Sequence, residues 1–135
     1  MCVLRLSGPY KELSSSIVNT FAEFTEAISA RKDRESGRTT EQDQSTFNCT
    51  VSNENGDCVP AQITDAISFL TRHRTDIKEL RSRSGVEQAI LDFAWDFPRE
   101  STGQFNRLPL LLLELCTELR LEIKVTVYGV ASSQL

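Results

Sequence analysis

The chain has 135 residues, a formal net charge of −4, 39% hydrophobic residues and 25% charged residues. That length suits one domain around one core, and the composition is not that of a disordered chain. The acidic balance argues against a nucleic-acid partner, and no run reaches the roughly 18 apolar residues of a membrane span. The opening residues also lack the apolar core of a signal peptide, so a cytoplasmic protein is expected.

The cysteines Cys2, Cys49, Cys58 and Cys116 include no C-x-x-C pair, and the chain has one histidine. Zinc sites declare themselves by close paired ligands, so no metal and no cofactor is expected. The thiols read as small buried or half-buried side chains, and the sequence leaves open whether Cys49 and Cys58 face each other across a hairpin-like turn.

Taken in order, Cys2–Leu6 reads as an opening strand that Ser7-Gly8-Pro9 turns away. Removal of Met1 would leave Cys2 with a free amine, as in N-terminal nucleophiles. No oxyanion-hole signal accompanies it, and packing in a strand is the stronger reading. A helix is expected over 11–20, where Leu13 and Ile17 open a helical stripe that Phe21, Phe24 and Ile28 continue. Ala22, Phe24, Glu26 and Ile28 also fit an extended segment. Residues 31–45 are polar and mixed in charge, which reads as a surface loop. Phe47–Ser52 reads as a strand, and Asn53 to Asp57 as a turn.

From Pro60 to Arg83 the apolar residues Ile63, Ala66, Ile67, Leu70, Ile77 and Leu80 form the stripe of one long helix. Pro60 suits its first turn, Asp57 its positive end, and Gly85 its stop. Gln88–Trp95 then alternates: Ala89, Leu91, Phe93 and Trp95 on one face, Gln88, Ile90, Asp92 and Ala94 on the other. Phe97–Gly103 reads as a loop and Gln104–Leu108 as a short edge strand. A helix opened by Pro109 runs through Leu119 and is apolar nearly all round, so it should be largely buried. Leu121–Tyr128 alternates as a last strand with one wet face, and 131–135 is a frayed tail.

This order predicts one α+β domain over 1–135: a mixed or antiparallel sheet of four to five strands with helices packed mainly on one face. A doubly wound parallel sheet is the alternative, but no glycine-rich loop follows a strand.

Three constellations bear on function. Arg72, Arg74, Lys78, Arg81 and Arg83 cluster at one end of the long helix, with His73 among them. Asp76 and Glu79 dilute that charge, so a solvated helix end outweighs a phosphate or nucleic-acid site. No spacing makes His73 a triad base. On the wet sheet face, Asp92, Lys124 and Tyr128 are the candidate binding residues, with an ordinary Asp92–Lys124 cross-strand pair as the plainer reading. The expected function is a non-catalytic protein-interaction domain, of which an inhibitor or immunity-type protein is one form. The alternative is a small ligand-binding domain or enzyme using the exposed sheet face. A partner protein is expected, and a homo-oligomer stays open.

Met1-Cys2-Val3-Leu4-Arg5, Asp65-Ala66-Ile67, Leu91-Asp92-Phe93, Gln104-Phe105 and Leu121-Glu122-Ile123 together resemble a family of small bacterial proteins of unknown function. The resemblance covers both ends of the chain and departs over residues 20–45. It implies the α+β fold and a bacterial origin, and it brings no catalytic residues with it.

Overall fold

The computed structural model describes residues 1–9, 28–31, 44–82 and 85–129. Five strands form one sheet: β1 (Cys2–Pro9), β2 (Ile28–Arg31), β3 (Gln44–Ser52), β4 (Gln88–Phe97) and β5 (Glu122–Gly129). Their order is β2-β3-β1-β4-β5. The pairs β2/β3, β3/β1 and β1/β4 are antiparallel, and β4/β5 is parallel. Helices α1 (Val59–Arg72), α2 (Arg74–Ser82) and α3 (Leu110–Glu118) complete the described elements. This is the α+β mixed sheet that the element order predicts.

Strand periodicity puts the core on one face. Cys2, Leu4 and Leu6 of β1 are buried and alternate with half-buried Val3, Arg5 and Ser7. The register sets Leu4 beside both Cys49 and Leu91, and Leu6 beside Phe47 and Ala89. Apolar side chains of three strands therefore share one surface. The helices cover that surface with Ile63, Ala66, Leu70, Ile77, Leu80, Leu112, Leu115 and Leu119. Full burial of one such leucine or isoleucine contributes roughly 1.5–3 kcal/mol. The face of β1 and β4 that carries Arg5 and Asp92 lies away from these helices. Two parallel strands need a crossover, and α3 supplies it between β4 and β5. Among the described residues no helix is long and apolar enough to cross a membrane.

Several expectations change. β1 does not turn at Gly8 but continues to Pro9, paired with β3 throughout. A Cβ at Gly8 would lie 1.9 Å from the Gly85 carbonyl oxygen, so the strand passes there only because Gly8 has none. Arg31 belongs to β2, and Gln44 and Ser45 belong to β3, so the polar loop is shorter than 31–45 and its remainder lies outside the described residues. The helix expected over 11–20 and the tail 131–135 also lie outside them.

The long helix is two helices that meet at His73, whose ψ of 17° opens the turn. The hydrogen-bond ladder nevertheless bridges the join: His73 N–H donates to Phe69 O at 3.0 Å, and Ile77 N–H to His73 O at 2.9 Å. His73 occupies the gap in the apolar stripe between Leu70 and Ile77. It is buried, with its ring 4.7 Å from that of Phe69. The N-cap of α1 is Cys58, with no side-chain capping bond, and Asp57 instead accepts from the Cys58 thiol at 3.5 Å.

Gln104–Leu108 is not a strand. Pro109 is extended, with φ −62° and ψ 148°, and caps α3 rather than entering it. α3 is not buried all round: Leu110, Leu111 and Leu113 are 70%, 51% and 39% exposed. Likewise β5 is wet on both faces, with Val125, Val127 and Tyr128 all exposed. α3 and β5 lie at one end of the described order, where a residue meets core on one side only.

Candidate functional site

The pairing of β1 with β4 reaches Cys2 and Phe93, but β4 runs on to Phe97. Its backbone groups on that side must find other partners, because buried polar groups left unpaired are costly. Ala94 N–H donates to Met1 O at 2.9 Å, and Asp96 N–H donates to Gly56 O at 3.0 Å. Two glutamines supply the missing donors. Gln62 Nε2 reaches Ala94 O at 3.1 Å, and Gln104 Nε2 reaches Asp96 O at 2.9 Å. Gln62 is wholly buried at the start of α1, and the same nitrogen also faces the carbonyls of Glu54 at 3.2 Å and Asn55 at 3.0 Å. The 53–57 turn, the start of α1, the carboxyl end of β4 and the 98–107 loop are thereby tied together.

A cleft of about 590 Å³ opens at this junction. Its polar lining is Asp57, Asp96, Arg99, Gln104 and Asn106, and its apolar lining includes Pro60, Phe97 and Phe105. Gly56 makes room for Asp96, since a Cβ there would come within 2.6 Å of the carboxylate. A second cleft of about 330 Å³ adjoins it, between α1 and the loop, lined by Val59, Pro60, Ile63, Ile67, Phe105 and Pro109 among others. Phe105 stands on the rim of both and is 98% exposed. Phe105 is thus an exposed aromatic ring beside an apolar groove, and Leu110 and Leu111 at the start of α3 are exposed as well.

The candidates read from sequence fall elsewhere. Asp92 is paired, but with Arg5: Nε to Oδ2 is 2.9 Å, and Arg5 Nη1 donates to Asn48 Oδ1 at 2.9 Å. This polar row crosses β3, β1 and β4 on the face away from the helices. Lys124 is the register neighbour of Asp92 yet makes no ion pair with it, and Tyr128 stands beside Asp96 in register. Lys124 and Tyr128 are exposed, and four residues of strand separate them by roughly 13 Å. None of the three lines the clefts at Phe105.

Cys2 is wholly buried, and burial pushes its thiol up to about 12, so it stays protonated at neutral pH. Met1 holds the N-terminus in place, its ammonium group donating to Glu54 O at 2.6 Å. The packing reading of Cys2 therefore stands. Burial also raises Cys116 to about 11. All four cysteines are free: Cys49 is buried in β3, while Cys58 is half-buried beside Asp57, so they do not form a bridge. Among the described residues no group of three or more His, Cys, Asp or Glu side chains could hold a metal ion.

At the basic helix end Arg74, Lys78 and Arg81 are engaged, and Arg83 lies outside the described residues. Arg74 contacts Glu118 at 2.7 Å and Lys78 contacts it at 3.4 Å, while Arg81 Nη1 donates to Val86 O at 3.1 Å. These bonds tie α2 to α3 and to Val86 ahead of β4, which is the role of a solvated, structural helix end.

Sequence reasoning missed Phe105, Gln62, Gly56 and Asp96. Phe105 carried a signal: it is a lone aromatic among Gly103, Gln104, Asn106 and Arg107. Four consecutive leucines were a second signal, since they cannot all face one side of a helix. Comparison of the chain with family models, with curated proteins and with solved structures finds no match.

Proposed function

We propose that this domain is a non-catalytic protein-interaction module, and that its contact surface includes Phe105 at the α1 groove and the exposed Leu110 and Leu111 that begin α3. The observation that carries the reading is the exposure of Phe105, 98%, on the rim of two clefts. Interfaces draw most of their energy from a few aromatic and apolar anchors seated in a partner. The groups that suggested catalysis have other work: Cys2 and His73 are core residues, and Asp92 is bonded to Arg5. An inhibitor or immunity-type role extends this reading, as do a cytoplasmic location and kinship with the small bacterial family resembled above.

The test compares capture by tagged wild-type chain with capture by Phe105→Ser/Leu110→Ser, both expressed at native level. A partner retained by the wild type and lost by the variant supports the reading. No partner, or one that the variant holds equally well, overturns it. A ligand-binding reading has its own support in the larger cleft, whose volume falls within the roughly 300–1,000 Å³ of small-molecule sites. A small molecule that raises the melting temperature of the wild type but not of Asp96→Asn would favour that reading instead.

A further inference from the structure

The turn between β3 and α1 carries Asn55-Gly56, and no other asparagine of the chain precedes a glycine. Asparagine is lost from proteins when the backbone nitrogen of the next residue attacks its side-chain carbonyl carbon. Glycine leaves that nitrogen unshielded, because it has no side chain. Asn55 is exposed. Among the described residues its side-chain amide makes no hydrogen bond, and neither does the Gly56 N–H. Neither reacting group therefore has to give up a bond first.

The fold itself keeps the labile pair. A Cβ at position 56 would lie 2.6 Å from the Asp96 carboxylate and 2.9 Å from its backbone nitrogen, so the end of β4 favours glycine there. The same two residues hold the junction together. Asn55 O accepts Cys58 N–H at 2.9 Å and Gln62 Nε2 at 3.0 Å, and Gly56 O accepts Asp96 N–H at 3.0 Å. A change in the main chain between them therefore reaches α1, β4 and the larger cleft, which Asp57 and Asp96 line.

We infer that Asn55 is a site of spontaneous deamidation, and that its isoaspartate product opens the junction of the 53–57 turn with α1 and the end of β4. Gly56 N loses its proton and attacks Asn55 Cγ, ammonia leaves, and a succinimide ring closes. Water then opens the ring. Cleavage of the bond from Cγ to Gly56 N gives aspartate on the original main chain. Cleavage at the main-chain carbonyl gives isoaspartate, in which the chain runs through Cβ and Cγ and the former Asn55 carbonyl becomes a free carboxylate. The balance is one water taken up and one ammonia released, with no oxidation or reduction. In isoaspartate the acceptor of Cys58 N–H and Gln62 Nε2 leaves the main chain, and the added carbon carries Gly56 O away from Asp96 N–H. The new carboxylate also joins Glu54 and Asp57 in one short turn, where like charges repel. This chemistry does not depend on what the cleft binds, so it stands or falls independently of the proposed function.

The full chain is aged at mildly alkaline pH and physiological temperature, folded and in urea, and then mapped by proteolysis, mass spectrometry and enzymatic methylation of isoaspartyl groups. The expected result for the folded chain is deamidation at Asn55 ahead of Asn48, Asn53 and Asn106, with isoaspartate among the products. Asn55→Gln removes that signal. The isoaspartate form, separated by ion exchange, melts below both the unaged chain and Asn55→Asp, which carries the new charge on an unaltered main chain. An Asn55 that stays intact in the folded chain while it deamidates in urea overturns the inference. So does another asparagine that reacts first, or an isoaspartate form that melts with Asn55→Asp.

Discussion

Replacing Gln62 by leucine tests the claim that this side chain supplies the donor for Ala94 O, past the last β1/β4 pair at Phe93. Gln62 is wholly buried, and its Nε2 faces three carbonyls at 3.0–3.2 Å. Two of those carbonyls keep another donor: Glu54 O takes the Met1 ammonium at 2.6 Å, and Asn55 O takes Cys58 N–H at 2.9 Å. Ala94 O depends on Gln62. The amide has two hydrogens, so the loss is about two hydrogen bonds at ~1 kcal/mol each, plus ~1–2 kcal/mol for stranding the Ala94 carbonyl. Leucine returns roughly 1–2 kcal/mol by its burial and by removing Gln62 Oε1, which finds no hydrogen-bond partner of its own. The net expectation is a destabilisation of about 2 kcal/mol for Gln62→Leu, and more for Gln62→Ala, which adds a cavity. Urea unfolding reads this as a midpoint lowered by about 1 M at a slope near 2 kcal/mol/M. A Gln62→Leu protein as stable as wild type would refute the reasoning, because shape rather than hydrogen bonding would then be all that Gln62 provides.

Gly8→Ala should destabilise the fold by about 2 kcal/mol or more, since its Cβ meets the Gly85 carbonyl oxygen at 1.9 Å and backbone must move; an unchanged melting temperature would contradict the close approach. A thiol reagent applied to native protein at neutral pH should modify Cys58 first, and slowly, because its bond to Asp57 raises its pKa. Cys2, Cys49 and Cys116 should react only on unfolding, so early modification of Cys2 would count against its burial. The hydrogen bond from Arg74, with help from Lys78, holds the Glu118 carboxyl below its usual value. Its contribution is therefore full above the unfolded carboxyl pKa and fades as pH falls through the lower folded one. The stability gap between wild type and Glu118→Gln should close on acidification, and a gap that widens would reverse the assignment.

Local periodicity was enough to read β4. Ala89, Leu91, Phe93 and Trp95 alternate with Ile90, Asp92 and Ala94, and burial follows that alternation residue by residue. A strand between two neighbours has both faces defined by its own sequence, because a one-residue slip would invert them. The start of α1 was legible for the same reason: Pro60 and the Ile63, Ala66, Leu70 stripe act within single turns. His73 was legible only as a gap in that stripe. The periodicity could not say that the helix reopens there, since a buried imidazole against Phe69 depends on what packs around it.

The candidate site lay beyond such reading. Asp92 takes Arg5 rather than its register neighbour Lys124, a choice between two cations on different strands. Likewise, α3 and β5 have sequences of buried elements, yet Leu110, Leu111, Val125 and Val127 are exposed. Apolar pattern determines which face of an element turns inward. Whether anything stands opposite that face depends on the strand order, and the order β2-β3-β1-β4-β5 leaves β5 and the α3 that covers it at the rim. The sequence by itself determined the class of fold and the inward faces of β4 and α1, because those are local properties of the chain. Only the tertiary structure decided the cleft at Phe105 and the place of β5 as the last strand among the described residues, because both depend on which elements become neighbours.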